Sequence, residues 1–538
     1  MPAQSSTLKP VITRREWLWV LGWAAFILLL TSLPYLYGAF ISTPGNLFGG
    51  FVIGVEDGYS YLGKMRLGAE GGWQFHLFYT SEPHQGAWLF LFHILLGKLA
   101  RLTGVSLAGM YHLARLVFGL LLLLTVYYFA AWFTPRGAGR RLSFWLVAVG
   151  SGLGWLAALT GWADRLGLPL DFYSPEAFAF HLLFGLPHLS LTLTLLLWAV
   201  LWQLWAWQNG QWRYVFLSGL ALLAMSFVGV FYLVSVGAAL TAGWLAYLWA
   251  GRRNEHPWQS GLRKVGMMAS ALLMPLPVLF YNGYVFLTNP VFKLWAAQNL
   301  ILSPSPAQYG LAFGLWLIPA AVAVPRIWRE QNPRWLMLVG WVLLLPILVY
   351  LPFNLQRRLI MGGQIPLALL AAQGVWSWAG GSTRRWRFGA VGLVVLLSLS
   401  NVMILTGAGL TVAQRQPPVF QAGAVVSAAD WLAEVVSADE VVLAAYPTGN
   451  FLPTRMPARV FVGHGPETVH ASDKQAMVHR FFQRNEDDFR RQLVADYGLD
   501  YLFYGPAERQ LDGFTPETAP WLQQIYDNGS VQIYRFTP

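Results

Sequence analysis

The sequence predicts an α-helical polytopic membrane protein with about 11 transmembrane helices and a small C-terminal α/β domain outside the cytoplasm. Its composition, the length of its apolar runs and the placement of its cations predict this. The chain has 538 residues, 56% hydrophobic and only 11% charged, with a mean hydropathy of +0.46. Soluble domains carry about 25% charged residues, so lipid is the main solvent here.

A crossing needs about 20 apolar residues. The runs that qualify are 17–37, 107–133, 142–162, 178–205, two within 214–249, 265–287, 309–324, 335–351, 359–378 and 388–406. The 214–249 stretch is too long for one crossing and is read as a hairpin turning near 226–229. The first run follows Lys9, Arg14 and Arg15. It is too long for a signal-peptide core and lacks a small-residue cleavage site, so it reads as a retained span.

With the N-terminus placed in the cytoplasm, every inner loop is cationic. These loops hold Arg136, Arg140 and Arg141; Arg213; Arg252, Arg253, Arg263 and Lys264; Arg326, Arg329 and Arg334; and Arg384, Arg385 and Arg387. The formal net charge of +11 is therefore dispersed among turns and is not a continuous nucleic-acid-binding face. An odd number of spans leaves the C-terminus outside, in a plasma or inner membrane. The first outer loop, 38–106, is long, and segments 58–70 and 86–101 read as amphipathic helices on the membrane surface.

From about 415 the composition turns polar, which divides the chain into a membrane domain, 1–414, and a soluble domain, 415–538. Periodicity in the tail predicts helices at 424–436, 473–484 and 486–497 and strands at 440–445, 459–462, 500–504 and 531–536. That alternation defines a small α/β domain. The chain has no cysteine, which excludes disulfides, thiolate chemistry and cysteine-ligated metals. It also lacks a phosphate-binding glycine loop and a zinc-protease helix, so no nucleotide cofactor is expected.

The unusual polar residues fall on the predicted outer side. Glu56 and Asp57 open the segment EDGYSYLGKM, where adjacent carboxylates can serve as a general base or hold a divalent cation, Mg or Mn. Asp57 can equally N-cap the following helix. Asp164, Asp171 and Glu176 lie in the second outer loop, and Asp164 is a further metal-ligand candidate. His181 and His188 follow, seven positions apart on one predicted helical face and too far apart to share a metal directly. Glu82 and His84 are weaker polar candidates. Arg357 and Arg358 lie in LPFNLQRRL, on the side where cations are otherwise sparse. A lipid-linked phosphate would favour them there, as would simple headgroup snorkelling. Arg115 and Lys293 are weaker cations of the same kind.

This arrangement resembles the GT-C class of integral membrane glycosyltransferases, which includes protein O-mannosyltransferases, aminoarabinose transferases and oligosaccharyltransferase catalytic subunits. The resemblance is spread over most of the chain. It rests on EDGYSYLGKM after the first span, the span bearing Arg115 (YHLARL), the second acidic loop, the stretch 356–371, the loop 289–306 (WAAQN, SPSP) and the α/β tail. It implies inverting transfer of a sugar from a polyprenyl-phosphate donor to a glycan, lipid or protein acceptor at the extracytoplasmic face. Asp57 or Glu56 would be the base or metal ligand, Asp164 or Asp171 the second acid, and Arg357 and Arg358 the phosphate contacts. Many members read Asp-Glu where this chain reads Glu56-Asp57-Gly58, which leaves the choice between the two acids open. A Trp-Trp-Asp motif is absent from the tail, which disfavours transfer to asparagine. The alternatives are a transporter or flippase of a lipid-linked or small polar substrate, which would favour ionisable groups at mid-membrane, and an anchor presenting the tail as a binding module.

Overall fold

The computed structural model describes residues 10–252, 257–511 and 513–537; Lys9 and Arg253 lie outside them. The chain forms two compact units. One comprises Met1–Ser32, Leu113–Tyr281 and Leu300–Gly407, and the other Leu33–His112, Asn282–Asn299 and Ala408–Pro538.

Among the described residues, eight helices are long and apolar enough to cross a membrane. They include Arg14–Ile41, Leu107–Phe133, Pro187–Asn209, Trp212–Gly229, Tyr232–Gly251, Pro306–Glu330 and Thr383–Gln414. A helix pair, Trp258–Leu273 with Leu276–Thr288, bends by 52° and makes a ninth if counted as one span. The hairpin expected near 226–229 turns at Val230 and Phe231. The expected span 335–351 is the helix Pro333–Val349, shorter than the other spans.

The expected span 142–162 is not one helix. It is Gly137–Val149 followed, after a break, by Gly154–Leu159. Two buried side chains stabilise the break. Asp171 Oδ2 accepts from the Gly152 and Gly154 N–H groups, both at 3.0 Å, and from Ser400 Oγ at 2.7 Å. The Gln364 amide donates to the Gly150 carbonyl at 3.1 Å and accepts from the Ala179 N–H at 2.8 Å. Irregular backbone survives in a membrane unit only when protein groups satisfy it in this way. A Cβ at Gly154 would lie 2.2 Å from the Asp171 carboxylate, so the contact requires glycine.

The cationic turns of this unit meet at one rim. Arg334 stacks on Trp132 at 4.2 Å and reaches Gln208; Arg252 bonds Gln331 at 3.0 Å; and Arg136 stacks on Trp376 at 4.8 Å. Arg358 packs near Phe231, at the other end of the Trp212–Gly229 helix from Arg213. The Arg357–Arg358 pair therefore stands apart from the basic rim, as its sequence position implies.

The second unit joins segments distant in sequence. The expected helices at 58–70 and 86–101 are Val55–Ala69 and Leu91–Thr103. The latter exposes Leu95, Leu99 and Leu102 in one stripe, while Lys98 and Arg101 donate to carbonyls at the C-terminal end of the former. Such cations complement a helix C-terminus. Strand β1 (Asn46–Phe48) pairs antiparallel with β2 (Phe420–Ala422), so the tail begins woven into the first loop.

The rest of the tail is a five-stranded sheet of β3 (Val441–Leu443), β4 (Arg459–Val460), β5 (Tyr501–Tyr504), β6 (Leu522–Asp527) and β7 (Gln532–Phe536), in the order β4-β3-β5-β7-β6. The first three are parallel and β7 runs antiparallel to β5. Helices Gly423–Val435, Ala471–Phe481 and Asp487–Tyr497 match the expected ones. Val441, Leu443, Phe461, Phe481, Leu493 and Leu502 contribute to the core between sheet and helices.

Candidate active site

The acidic pair lies in the second unit, in the first turn of Val55–Ala69. The N-cap is Gly54, held at φ 52°, so Asp57 is not the cap that its position allows. Its side chain is about half exposed, and Oδ1 lies 3.0 Å from His464 Nε2. Glu56 Oε2 accepts from the Tyr446 hydroxyl at 2.9 Å, and that hydroxyl accepts from the Gly465 N–H at 3.0 Å.

Both partners project from the carboxyl edge of the parallel strands, where α/β sheets commonly present ligand-binding loops. Tyr446 follows β3, and His464 ends the short turn after β4. Thr468 fixes that turn by accepting from the Gly463 N–H at 3.2 Å and donating to the His464 carbonyl at 3.1 Å. Gly463 abuts Gly449 and Tyr79 so closely that a Cβ would fall 2.4 Å from the tyrosine ring.

Behind His464 lies a buried ionic chain. His464 Nδ1 is 3.6 Å from Glu467 Oε1, an ion-pair distance beyond hydrogen bonding. The same carboxylate oxygen receives Lys64 Nζ at 2.6 Å and Ser60 Oγ at 2.7 Å. Lys64 is wholly buried, with its ammonium 4.3 Å from the Phe90 ring centre. Burial alone would lower the His464 pKa, but Asp57 and Glu467 outweigh it and raise it to about 9. Burial would raise Glu467, yet Lys64 and His464 hold it at about 2. At neutral pH His464 is therefore an imidazolium beside an ionised Glu467.

Ser60 and Lys64 were not among the sequence candidates, although helical periodicity could have found them. Ser60 and Lys64 lie three and seven positions after Asp57 in EDGYSYLGKM and so share its helical face. His464, Glu467 and Tyr446 carried no comparable signal, because only the tertiary fold brings the tail to the first loop.

The other second-unit candidates engage neighbouring groups. Glu82 Oε2 pairs with the buried Lys474 Nζ at 2.6 Å. His84 accepts from the Leu77 N–H at 2.9 Å and donates through Nδ1 to the Glu82 carbonyl at 2.8 Å. Lys293 is exposed on Pro290–Gln298, a helix capped by Asn289.

In the first unit, Asp171 is buried at the helix break and Asp164 is exposed on the short helix Trp162–Leu166. His181 and His188 do not share a helix: Ala179–Gly185 ends before Pro187, which opens Pro187–Asn209. Proline is suited to a first turn and interrupts a continuing one. Arg115 is buried, donating to Ser32 Oγ at 2.7 Å and the Leu183 carbonyl at 3.0 Å. Its guanidinium ties helices together.

Arg358 pairs with Glu176 at 3.3 Å, and Arg357 lies over the Tyr173 ring at 4.8 Å. Arg357 Nε is buried without a hydrogen-bond acceptor, as befits a guanidinium able to receive an anion.

The residues fit a divalent cation poorly. Among the described residues no three histidine or acidic side chains are grouped to hold one, and a protonated imidazole already neutralises Asp57.

No protein-family model and no curated protein matches the chain. Several solved structures do. The oligosaccharyltransferase AglB of Archaeoglobus fulgidus, solved with an inhibitory peptide and a dolichol-phosphate, aligns with a TM-score of 0.54 at 11% identity, over 91% of this chain and 70% of that one. ArnT of Cupriavidus metallidurans bound to undecaprenyl phosphate aligns at 0.50 and 14% identity, over 97% and 98%. The mycobacterial arabinofuranosyltransferase AftD aligns at 0.54 and 17% identity, over 99% of this chain but 40% of its own. Another AglB structure is a complex with Zn and sulfate. The fold is that of the GT-C membrane glycosyltransferases.

Proposed function

We propose that the chain is an inverting membrane glycosyltransferase. It would move a sugar from a polyprenyl-phosphate donor to an acceptor hydroxyl at the extracytoplasmic face, with Asp57 as the general base. The observation that carries this reading is the half-exposed Asp57 carboxylate, held at a helix start by a buried imidazole that is backed by Glu467. The GT-C fold and the polyprenyl-type phosphates in two of the solved structures support the donor class.

In this reading the acceptor oxygen attacks the anomeric carbon as the bond from that carbon to the phosphate oxygen breaks. The polyprenyl phosphate leaves with the bonding electrons, and the acceptor proton passes to Asp57. A phosphate leaving group asks little covalent chemistry of the protein beyond positioning, a base and charge stabilisation. Within the first unit, Arg357 and Arg358 are the candidate anion contacts, a role that the unpartnered Arg357 Nε supports. Asp164, the exposed acid of the second loop, is the second acidic candidate. The cationic rim of the first unit would face the cytoplasm.

Purified protein incubated with polyprenyl-phosphate sugars and hydroxyl acceptors should form a glycoside. Asp57→Asn should lower kcat by about 10²–10⁴-fold. Wild-type rates in Asp57→Asn, or flux across proteoliposomes with no covalent product, would overturn the reading.

A further inference from the structure

We infer that the C-terminal segment is a working part of the acidic site and that His464 is the positioning residue for the Asp57 carboxylate. This rests on the glycosyl-transfer reading above.

The His464 side chain is 6% exposed and lies 3.0 Å from Asp57. Its turn is fixed by Thr468 and by the close approach of Gly463 to Gly449. The ionisable groups against it are Asp57 from the helix start, Tyr79 from the first loop and Glu467 from the tail, with Glu56, Tyr446 and, two turns along the same helical face, Lys64 bonded to those neighbours or beside them. Tyr446 holds Glu56 from the same sheet edge. Both members of the acidic pair are thus engaged by one edge of the tail.

A tie serving only to join loop and tail is better made with both partners buried, as Lys474 and Glu82 largely are. The His464 contact instead ends on a half-exposed carboxylate, where solvent screens that ion pair and leaves most of the imidazolium's stabilisation to the buried Glu467. Holding a desolvated imidazole, backed by the buried Glu467–Lys64 pair, against such a partner yields orientation of that carboxylate. It fixes Oδ1 and sets the direction in which the rest of the group faces solvent. Small misplacements of a catalytic group cost about 10²-fold in rate, which makes the positioning functionally significant.

The test uses the full-length protein in detergent or nanodiscs, with a polyprenyl-phosphate sugar as donor. His464→Gln keeps an N–H donor and removes the fixed imidazole. It should lower kcat by about 10–10²-fold while donor KM stays within about threefold, and His464→Ala should lose more. The double variant Asp57→Asn/His464→Gln should be no slower than Asp57→Asn alone, because both act through one carboxylate. Protease resistance of the tail checks that each variant is folded; if His464→Ala misfolds, the Gln variant decides. A folded His464→Gln with wild-type kcat, in a protein that Asp57→Asn inactivates, overturns the positioning role alone. Losses that multiply in the double variant also overturn it, since they describe an independent structural effect. Full activity in Asp57→Asn sinks the base assignment itself, a distinct outcome.

Discussion

Two buried carboxylates, one in each unit, show how the same functional group serves unlike ends. Asp171 is surrounded by neutral donors: two backbone N–H groups and a serine hydroxyl. Burial raises its pKa against those hydrogen bonds, and it closes a break between helices. Glu467 is surrounded by cations, Lys64 and His464, and its pKa is held down despite burial. It belongs to a charged chain that reaches a half-exposed acid. A carboxylate satisfied by neutral backbone is scaffold, whereas one compensated by charge beside an exposed partner points to chemistry.

Removing charge compensation should have the largest effect. Lys64→Met leaves Glu467 buried with less positive charge around it, at a cost of about 3–5 kcal/mol. The second unit should then become protease-sensitive at temperatures where wild type is resistant. Lys64→Met/Glu467→Met should recover much of that loss, since a packed apolar pair can replace a buried ionic one. A Lys64→Met protein as resistant as wild type would break the contrast.

The scaffold carboxylate should respond more mildly. Asp171→Leu removes the acceptor of two backbone N–H groups and should cost about 1–3 kcal/mol. Asp171→Asn, which keeps a carbonyl oxygen, should cost less. Either protein, once folded, should retain kcat within about threefold of wild type, against losses of about 10²-fold or more in Asp57→Asn. If Asp171→Asn were catalytically dead yet fully stable, Asp171 would move from scaffold to chemistry.

The sequence was most legible where one physical rule governs a continuous segment. Apolar length located the helices Arg14–Ile41, Leu107–Phe133 and Tyr232–Gly251, and period-2 and period-3.6 patterning located most of the tail. It was least legible where distant residues override a local pattern. Nothing in 142–162 announces that Asp171 and Gln364 will end a helix at Val149. The edge strand β6, largely exposed and polar, lacked the alternation that marks its neighbours. The acidic pair stood out in the sequence as a candidate site. Its partners His464 and Tyr446 did not, because each is about 400 positions away in sequence and only the tertiary fold brings loop and tail together.

The pH dependence of stability sharpens the same contrast in the second unit. His464 has a folded pKa of about 9 against an ordinary 6.5, so its contribution is complete below 6.5 and is lost as pH rises through 9. Glu467 has a folded pKa of about 2 against 4.5, so its contribution is present above 4.5 and is lost as pH falls toward 2. Protease resistance of the tail should therefore plateau between about pH 4.5 and 6.5 and fall on both sides. His464→Gln should remove the alkaline decline between 6.5 and 9. An unchanged alkaline limb in that variant would mean that another group governs it.

The smallest expected effect concerns metal. Asp57 is already neutralised by an imidazolium that Asp57 itself and Glu467 keep protonated, so a divalent cation would have to displace that charge or tolerate it at close range. Two like charges sharing one carboxylate repel at a distance where solvent only partly screens them. Transfer should therefore continue within about twofold of the untreated rate after exhaustive chelation, and added Mg or Mn should not restore His464→Gln. A chelated enzyme that stops, and restarts on adding one of these ions, would show that the cation replaces the imidazolium's role during the reaction and that the ionic chain describes only a resting arrangement.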